Sequence, residues 1–278
     1  MQEVISKRAE FLPARRVGKG KIVEIIYIVL ILLLISIVNA VDFYILIYPE
    51  LTIKEAFNLI TTAAALNKLL FTGSGYLTAS YLSRNKNLPF YKALSAFLLL
   101  EALGVSLWLG LGICFGAKIA VKIPWFIISF LIIFAITAWF KKDKLVSVLK
   151  SVWRYFKERW VRIIIIAPLV VLNTALFVLC YFFLFRFFNF HPTILSIIKI
   201  ISISFTVGYL SPAPAGLGFK DTGLVLLLMN SGLTLNAAVS LAVFDRVFVT
   251  VFRGVLGGIF GYDLIKEEIK RRFKKIKK

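Results

Sequence analysis

Runs such as IIYIVLILLLISIV and WFIISFLIIFAITAWF are apolar all the way round a helix. A helix at the surface of a water-soluble protein carries a polar face opposite its apolar stripe, and these segments carry none. Their solvent must be lipid. The chain therefore reads as all-α, a polytopic transmembrane helical bundle with about seven or eight membrane segments. A net charge of +20 is the kind a nucleic-acid binder carries, but here most Lys and Arg lie in three blocks beside apolar spans. That pattern fits positive-inside topology and attraction to anionic headgroups.

The stretch SPAPAGLGFKD, residues 211–221, puts two prolines, two glycines and a Lys220–Asp221 pair between apolar segments. Proline removes a backbone donor, and glycine weakens a helix by about 1 kcal/mol relative to alanine, so no helix runs through here unbroken. Broken backbone at membrane depth is tolerated where it is buried in protein or lines a wet cavity. The stretch is thus a candidate site. A weaker break falls at Thr72, Gly73, Ser74 and Gly75, after a segment carrying Asn58, Asn67 and Lys68. It is followed by a helix over residues 76–83, too short to span.

Other features fill in the order. Residues 1–21 hold six Lys or Arg, and a first span follows over about 22–47. Asp42, near its end, reads as an interfacial carboxylate. Further spans are expected over about 90–115, 123–140, 163–188, 193–210 and 237–262. Glu101, in LLLEALG, needs a partner, a cavity or a proton, because a charge at the bilayer centre costs roughly 2.5–3.5 kcal/mol on insertion scales. Lys199 either snorkels or faces a cavity. Residues 141–162 interleave eight Lys or Arg with Trp153, Tyr155, Phe156 and Trp160, an interfacial amphipathic segment. Basic blocks at the start, middle and end predict that all three share the cytoplasmic face, with an even number of crossings in each half. Cys114 and Cys180 read as small buried hydrophobes, and the one histidine, His191, as a loop residue. No metal, cofactor or catalytic residue is expected.

Sliding the chain on itself by 145 positions places Gly73 on Gly218, Leu82 on Leu227, Asn85 on Asn230, Ala93 on Ala238, Gly112 on Gly257 and Glu101 on Arg246. Each copy then reads as a helix, a glycine break, a short helix, a turn and a long span with a buried charge. The expected organisation is a single membrane domain: one repeat over about 22–115, a linking span and amphipathic segment over 123–162, a second repeat over 163–262, and a basic tail over 263–278. Transporters commonly place their sites between two such repeats.

Pro212, Pro214, Gly216, Gly218, Lys220 and Asp221, followed by Gly232, Arg246 and Gly257, resemble the pattern of the lysylphosphatidylglycerol synthase transmembrane domain family. Asn67, Gly73, Gly75, Arg84 and Glu101 agree more loosely. Ala215 stands where the family usually has glycine and Asp221 where it usually has glutamate, and the first break lacks the expected proline and glutamate. The resemblance implies a lipid-handling, flippase-like membrane domain. The full-length enzymes add a soluble aminoacyl-transfer domain for which the basic tail leaves no room, so synthase activity is not expected.

The expected function is translocation of a lipid or lipid-linked headgroup through a polar cavity. The candidate residues are Pro212, Pro214, Gly216, Gly218, Lys220, Asp221, Asp245, Arg246, Glu101, Gly73, Gly75 and Asn67. Free N–H groups after Gly218 would take an anion, and Lys220 would attract headgroups at the cavity mouth. Asp221 and Arg246 either contact substrate or form a structural ion pair. The expected partners are membrane lipids with anionic or phosphate-bearing heads and possible envelope-biogenesis proteins; nucleic acid is not among them. Two alternatives keep the same acidic residues: an integral-membrane lipid-modifying enzyme or accessory subunit of envelope glycan assembly, and a proton-coupled small-solute transporter. The expected location is the plasma membrane, with both termini cytoplasmic.

Overall fold

A computed structural model of the protein describes residues 19–69, 73–86, 88–120, 153–211 and 218–276. Among them every regular element is helical: α1 (Lys19–Ile47), α2 (Ile53–Leu69), α3 (Ser74–Leu82), a 3₁₀ turn (Ser83–Lys86), α4 (Phe90–Ala120), α5 (Trp160–Phe187), α6 (Ile194–Leu210), α7 (Phe219–Asn230) and α8 (Leu235–Ile276). Four stretches are long and apolar enough to cross a membrane: Gly20–Ile47, Phe90–Gly116, Trp160–Phe187 and Leu235–Leu264. The span expected over 123–140 lies outside the described residues.

Local chemistry sets the helix starts. At α2 the Thr52 hydroxyl accepts from the Glu55 N–H (3.3 Å), while the Glu55 carboxylate accepts from the Thr52 N–H (2.9 Å). This is a reciprocal cap that satisfies otherwise orphaned donors. Thr193 accepts from the Ser196 N–H at the start of α6, and Thr234 from the Ala237 N–H at the start of α8. The short helices α3 and α7 each follow a glycine with positive φ, Gly73 (92°) and Gly218 (81°), a conformation that costs a side-chain-bearing residue dearly.

The bundle has two ends. At the near end α1 begins, α5 finishes and α8 begins: Arg186 reaches Glu24 (3.9 Å), Tyr27 stacks on Phe183, and Phe187 stacks on Phe244. At the far end α1 finishes and α5 begins. There Tyr155 donates to the Leu46 carbonyl (2.9 Å), Arg159 to the Leu46 and Tyr48 carbonyls (2.5 and 3.1 Å), and Arg162 also reaches Tyr48. Glu50 joins this cluster by pairing with Lys92 and Arg159. Burial pushes the Glu50 carboxyl up, but the Lys92 hydrogen bond and the charges of Lys92 and Arg159 outweigh it and hold it below its ordinary value.

Two hairpins enter from opposite ends. The α2–α3 hairpin starts at the far end and returns to it, with Leu82 buried among Phe43, Leu46 and Ile47. The α6–α7 hairpin starts and finishes at the near end, where Leu228 meets Leu184, Phe185 and Ala238. Each hairpin packs on the long helix that follows the other hairpin: α2 on α8, and α6 on α4. Both crossings are made close by glycine. A Cβ at Gly257 would meet Ala65 and the Thr61 carbonyl oxygen, and one at Gly112 would meet Thr206 and the Ser202 carbonyl oxygen. Gly112 and Gly257 are 145 residues apart, as are Thr61 and Thr206, the starts of α3 and α7, and the starts of α4 and α8.

Neither short helix crosses the bundle, since each returns its hairpin to the end it came from; for residues 76–83 this agrees with the expectation from length. Other expectations change. Leu264 packs with Leu46 and Tyr155, and Glu268 accepts from Tyr81, so the last helix leaves at the far end whereas α1 starts at the near end. The first residues of α1 and the basic residues that close α8 are therefore at opposite ends, not on one shared face. The tail is also helical through Ile276. Cys114 is exposed, while Cys180 is buried as expected. Lys199 is exposed on α6 and does not line the cavity described below.

Candidate functional site

The inner ends of α2, α3, α6 and α7 and the facing walls of α1, α4, α5 and α8 line a cavity of about 650 Å³. Four cationic side chains line it, Lys68, Lys220, Arg246 and Arg253, together with four carboxylates, Asp42, Glu101, Asp221 and Asp245. An uncompensated charge in such a place is costly, so the pairing of these eight groups decides what the cavity can hold.

The second hairpin spends its charges internally. Arg246 pairs with Asp221, and the same Asp221 carboxylate accepts from the Gly218 N–H (3.3 Å), tying the first turn of α7 to α8. Lys220 donates to Asp245 (3.2 Å) and to the Tyr181 hydroxyl (3.1 Å), and its ammonium sits over the Phe205 ring at 4.5 Å. Tyr181 also donates to Asp245 (3.0 Å), which is only 6% exposed. One expectation changes here. Lys220 is held by a buried carboxylate and a phenol, not displayed as a free cation at a cavity mouth. At the start of α7 the Asp221 carboxylate takes the Gly218 N–H, the donor just before the first turn.

The first hairpin uses neutral chemistry in the same positions. Asn67 accepts from the Gly73 and Gly75 N–H groups at 3.0 and 2.8 Å, capping α3 from the preceding helix. Gly75 lies so close to α2 that an added Cβ would overlap the Ala63 carbonyl. Tyr76 donates to Glu101 at 2.5 Å. Tyr76 stands 145 residues before Asp221, and Glu101 as far before Arg246. In both halves the third residue of the short helix reaches one half-buried polar residue on the long helix that follows. One contact is phenol to carboxylate, and the other is carboxylate to guanidinium.

Of the expected site residues, Asn67, Glu101, Lys220, Asp221, Asp245 and Arg246 line the cavity. Gly73, Gly75 and Gly218 shape the breaks beside it. Pro212, Pro214 and Gly216 lie outside the described residues. Expectation missed four wall residues. Asp42 is not interfacial: it is 2% exposed and lines the cavity. Tyr76 was absorbed into a short helix. Lys68 and Arg253 also line the wall, and among the described residues neither has an ion pair or a hydrogen bond. A signal for Arg253 existed, since seven residues after Arg246 returns to the same helical face.

Helices that cross a membrane, two hairpins that enter it from opposite ends and a charged cavity between them define a polytopic membrane protein built around a polar intramembrane site. Residues 21–257 match the family described as the lysylphosphatidylglycerol synthase TM region, and the chain belongs to that family. No curated protein and no solved structure matched the chain.

Proposed function

We propose that this protein carries a phosphate-bearing lipid headgroup across the plasma membrane. One observation carries the reading: Lys68 and Arg253 are unmatched cations in the wall of a cavity set between two re-entrant hairpins. Once Lys220 and Arg246 are assigned to Asp245 and Asp221, these two are the cationic groups left to meet an anion. A phosphate would offset their desolvation through charge-assisted bonds, while the Tyr76–Glu101 pair lies across the same space. The apolar part of the wall, including Leu32, Ile35, Ile60 and Val105, suits the portion of a lipid next to its head.

The test is transport in liposomes containing head-labelled anionic and zwitterionic phospholipids. Arg253→Gln and Lys68→Gln are each expected to slow headgroup movement on the order of tenfold or more, equivalent to about 1.4 kcal/mol of lost binding or barrier stabilisation. Thermal unfolding in detergent should show both variants folded. Absence of movement by folded wild-type protein across the lipid panel, with and without a proton gradient, would sink the proposal.

The same reading treats the chain as one membrane domain of two inverted repeats, over about 22–115 and 163–262, which would supply two similar half-sites facing opposite ways. Among the described residues the far end, with Arg84, Lys92, Arg154, Lys157, Arg159, Arg162 and Lys266, is richer in cations than the near end and is assigned to the cytoplasm. In a Cys114→Ser/Cys180→Ser background, cysteines at Lys21 and Lys266 are expected to react with an impermeant thiol reagent from opposite sides. Labelling of both from one side contradicts the arrangement.

A further inference from the structure

Away from Lys68 and Arg253, the α1–α5 wall of the cavity carries a patch of oxygen atoms without enough donors to satisfy them. Asp42 is buried and makes no hydrogen bond or ion pair among the described residues; its Oδ1 is fully enclosed. Asn39 lies three residues earlier on the same face of α1, and Asn173 on α5 donates its amide to the Asn39 carbonyl oxygen at 2.6 Å. That leaves Asn173 Oδ1, also enclosed and without a partner. The hydroxyl protons nearby are already committed: Ser36 donates to the Leu32 carbonyl (2.9 Å) and Thr174 to the Val170 carbonyl (3.0 Å). Ser36 and Thr174 line the same cavity as Asp42, Asn39 and Asn173.

We propose that this patch binds a monovalent alkali cation, with the Asp42 carboxylate and the Asn173 carbonyl oxygen as its principal ligands. The donors are all hard oxygens, the type that coordinates unpolarisable cations. One carboxylate balances one positive charge, whereas a divalent ion would leave an unmatched charge in an apolar surround. A buried acceptor without a donor costs about 1–3 kcal/mol, more when charged, and a cation removes that cost for several oxygens at once. The patch lies on the same cavity as the unmatched cations but uses none of them. If the headgroup reading above holds, cation entry here supplies a means of coupling; binding itself does not depend on that reading.

Thermal unfolding in detergent tests binding without any lipid movement. At fixed pH and ionic strength, NaCl or KCl is expected to raise the wild-type midpoint saturably over N-methylglucamine chloride, as ligands of the folded state do. Asp42→Asn should abolish the rise, whereas Glu101→Gln should keep it. Asn173→Ala should raise the half-saturating salt concentration on the order of tenfold, a loss of about 1.4 kcal/mol, and this variant decides the matter if Asp42→Asn does not fold. No rise in wild type, an equal rise in Asp42→Asn, or protection that follows pH and ignores the cation would each overturn the site.

Discussion

Asp245→Ala is expected to destabilise the protein by roughly 3–5 kcal/mol, the usual cost of removing one partner from a buried ion pair. Asp245 accepts from both Lys220 and Tyr181, and the Lys220 side chain is itself mostly buried. Without the carboxylate, an ammonium is left facing an aromatic ring and a phenol, with no anion to meet it. Because the penalty belongs to the orphaned charge, Asp245→Asn combined with Lys220→Met should recover most of the loss, since asparagine still accepts from Tyr181. Unfolding of single and double variants in mixed detergent measures both. A cost under about 1 kcal/mol for Asp245→Ala, or no recovery in the double variant, would mean that the network contributes little.

The second large effect comes from adjacent glycines. Gly257→Ala places a methyl group against Ala65 and 2.9 Å from the Thr61 carbonyl oxygen, where α8 crosses α2. Backbone cannot swing aside as a side chain can, so the helices must separate, at a cost typically of about 1–3 kcal/mol. Small residues at such crossings let helices approach in lipid, where packing and not hydrophobic exclusion drives association. Gly258→Ala meets nothing within 4 Å and removes a poor helix former. It should be neutral or gain up to about 1 kcal/mol. Equal melting of the two variants would contradict the close crossing.

Much of this architecture is legible in the sequence because glycines mark the breaks before α3 and α7. The shift of 145 positions places the starts of α3 and α7, and the crossing glycines, in register. It also places Glu101 on Arg246 and Tyr76 on Asp221, the members of two bonded pairs, Tyr76 with Glu101 and Asp221 with Arg246. Direction is less legible, because apolar segments do not reveal which of them turn back, and hairpins that return to their own end change the parity of crossings. Hydropathy also ended the last helix near residue 262, although outside lipid a helix needs good helix formers and not apolar ones, and IKEEIKRRFKKI supplies them. Asp42 was misplaced because its distance from the helix end suggests an interface, but α5 and the hairpin enclose it. Lys68 and Arg253 could be recognised as unmatched only after the pairs made by Lys220 and Arg246 were known.

The exchange of hairpins between halves bears on how the chain is made. The α2–α3 hairpin leaves the ribosome early, yet the helix that covers it, α8, is the last to be synthesised. Until residues 235–264 enter the membrane, the face of α2 at Phe57, Thr61, Thr62 and Ala65 lacks the helix on which it packs. The first half thus waits as an unfinished intermediate, and a chain stalled before Gly257 would hold that hairpin without its lid.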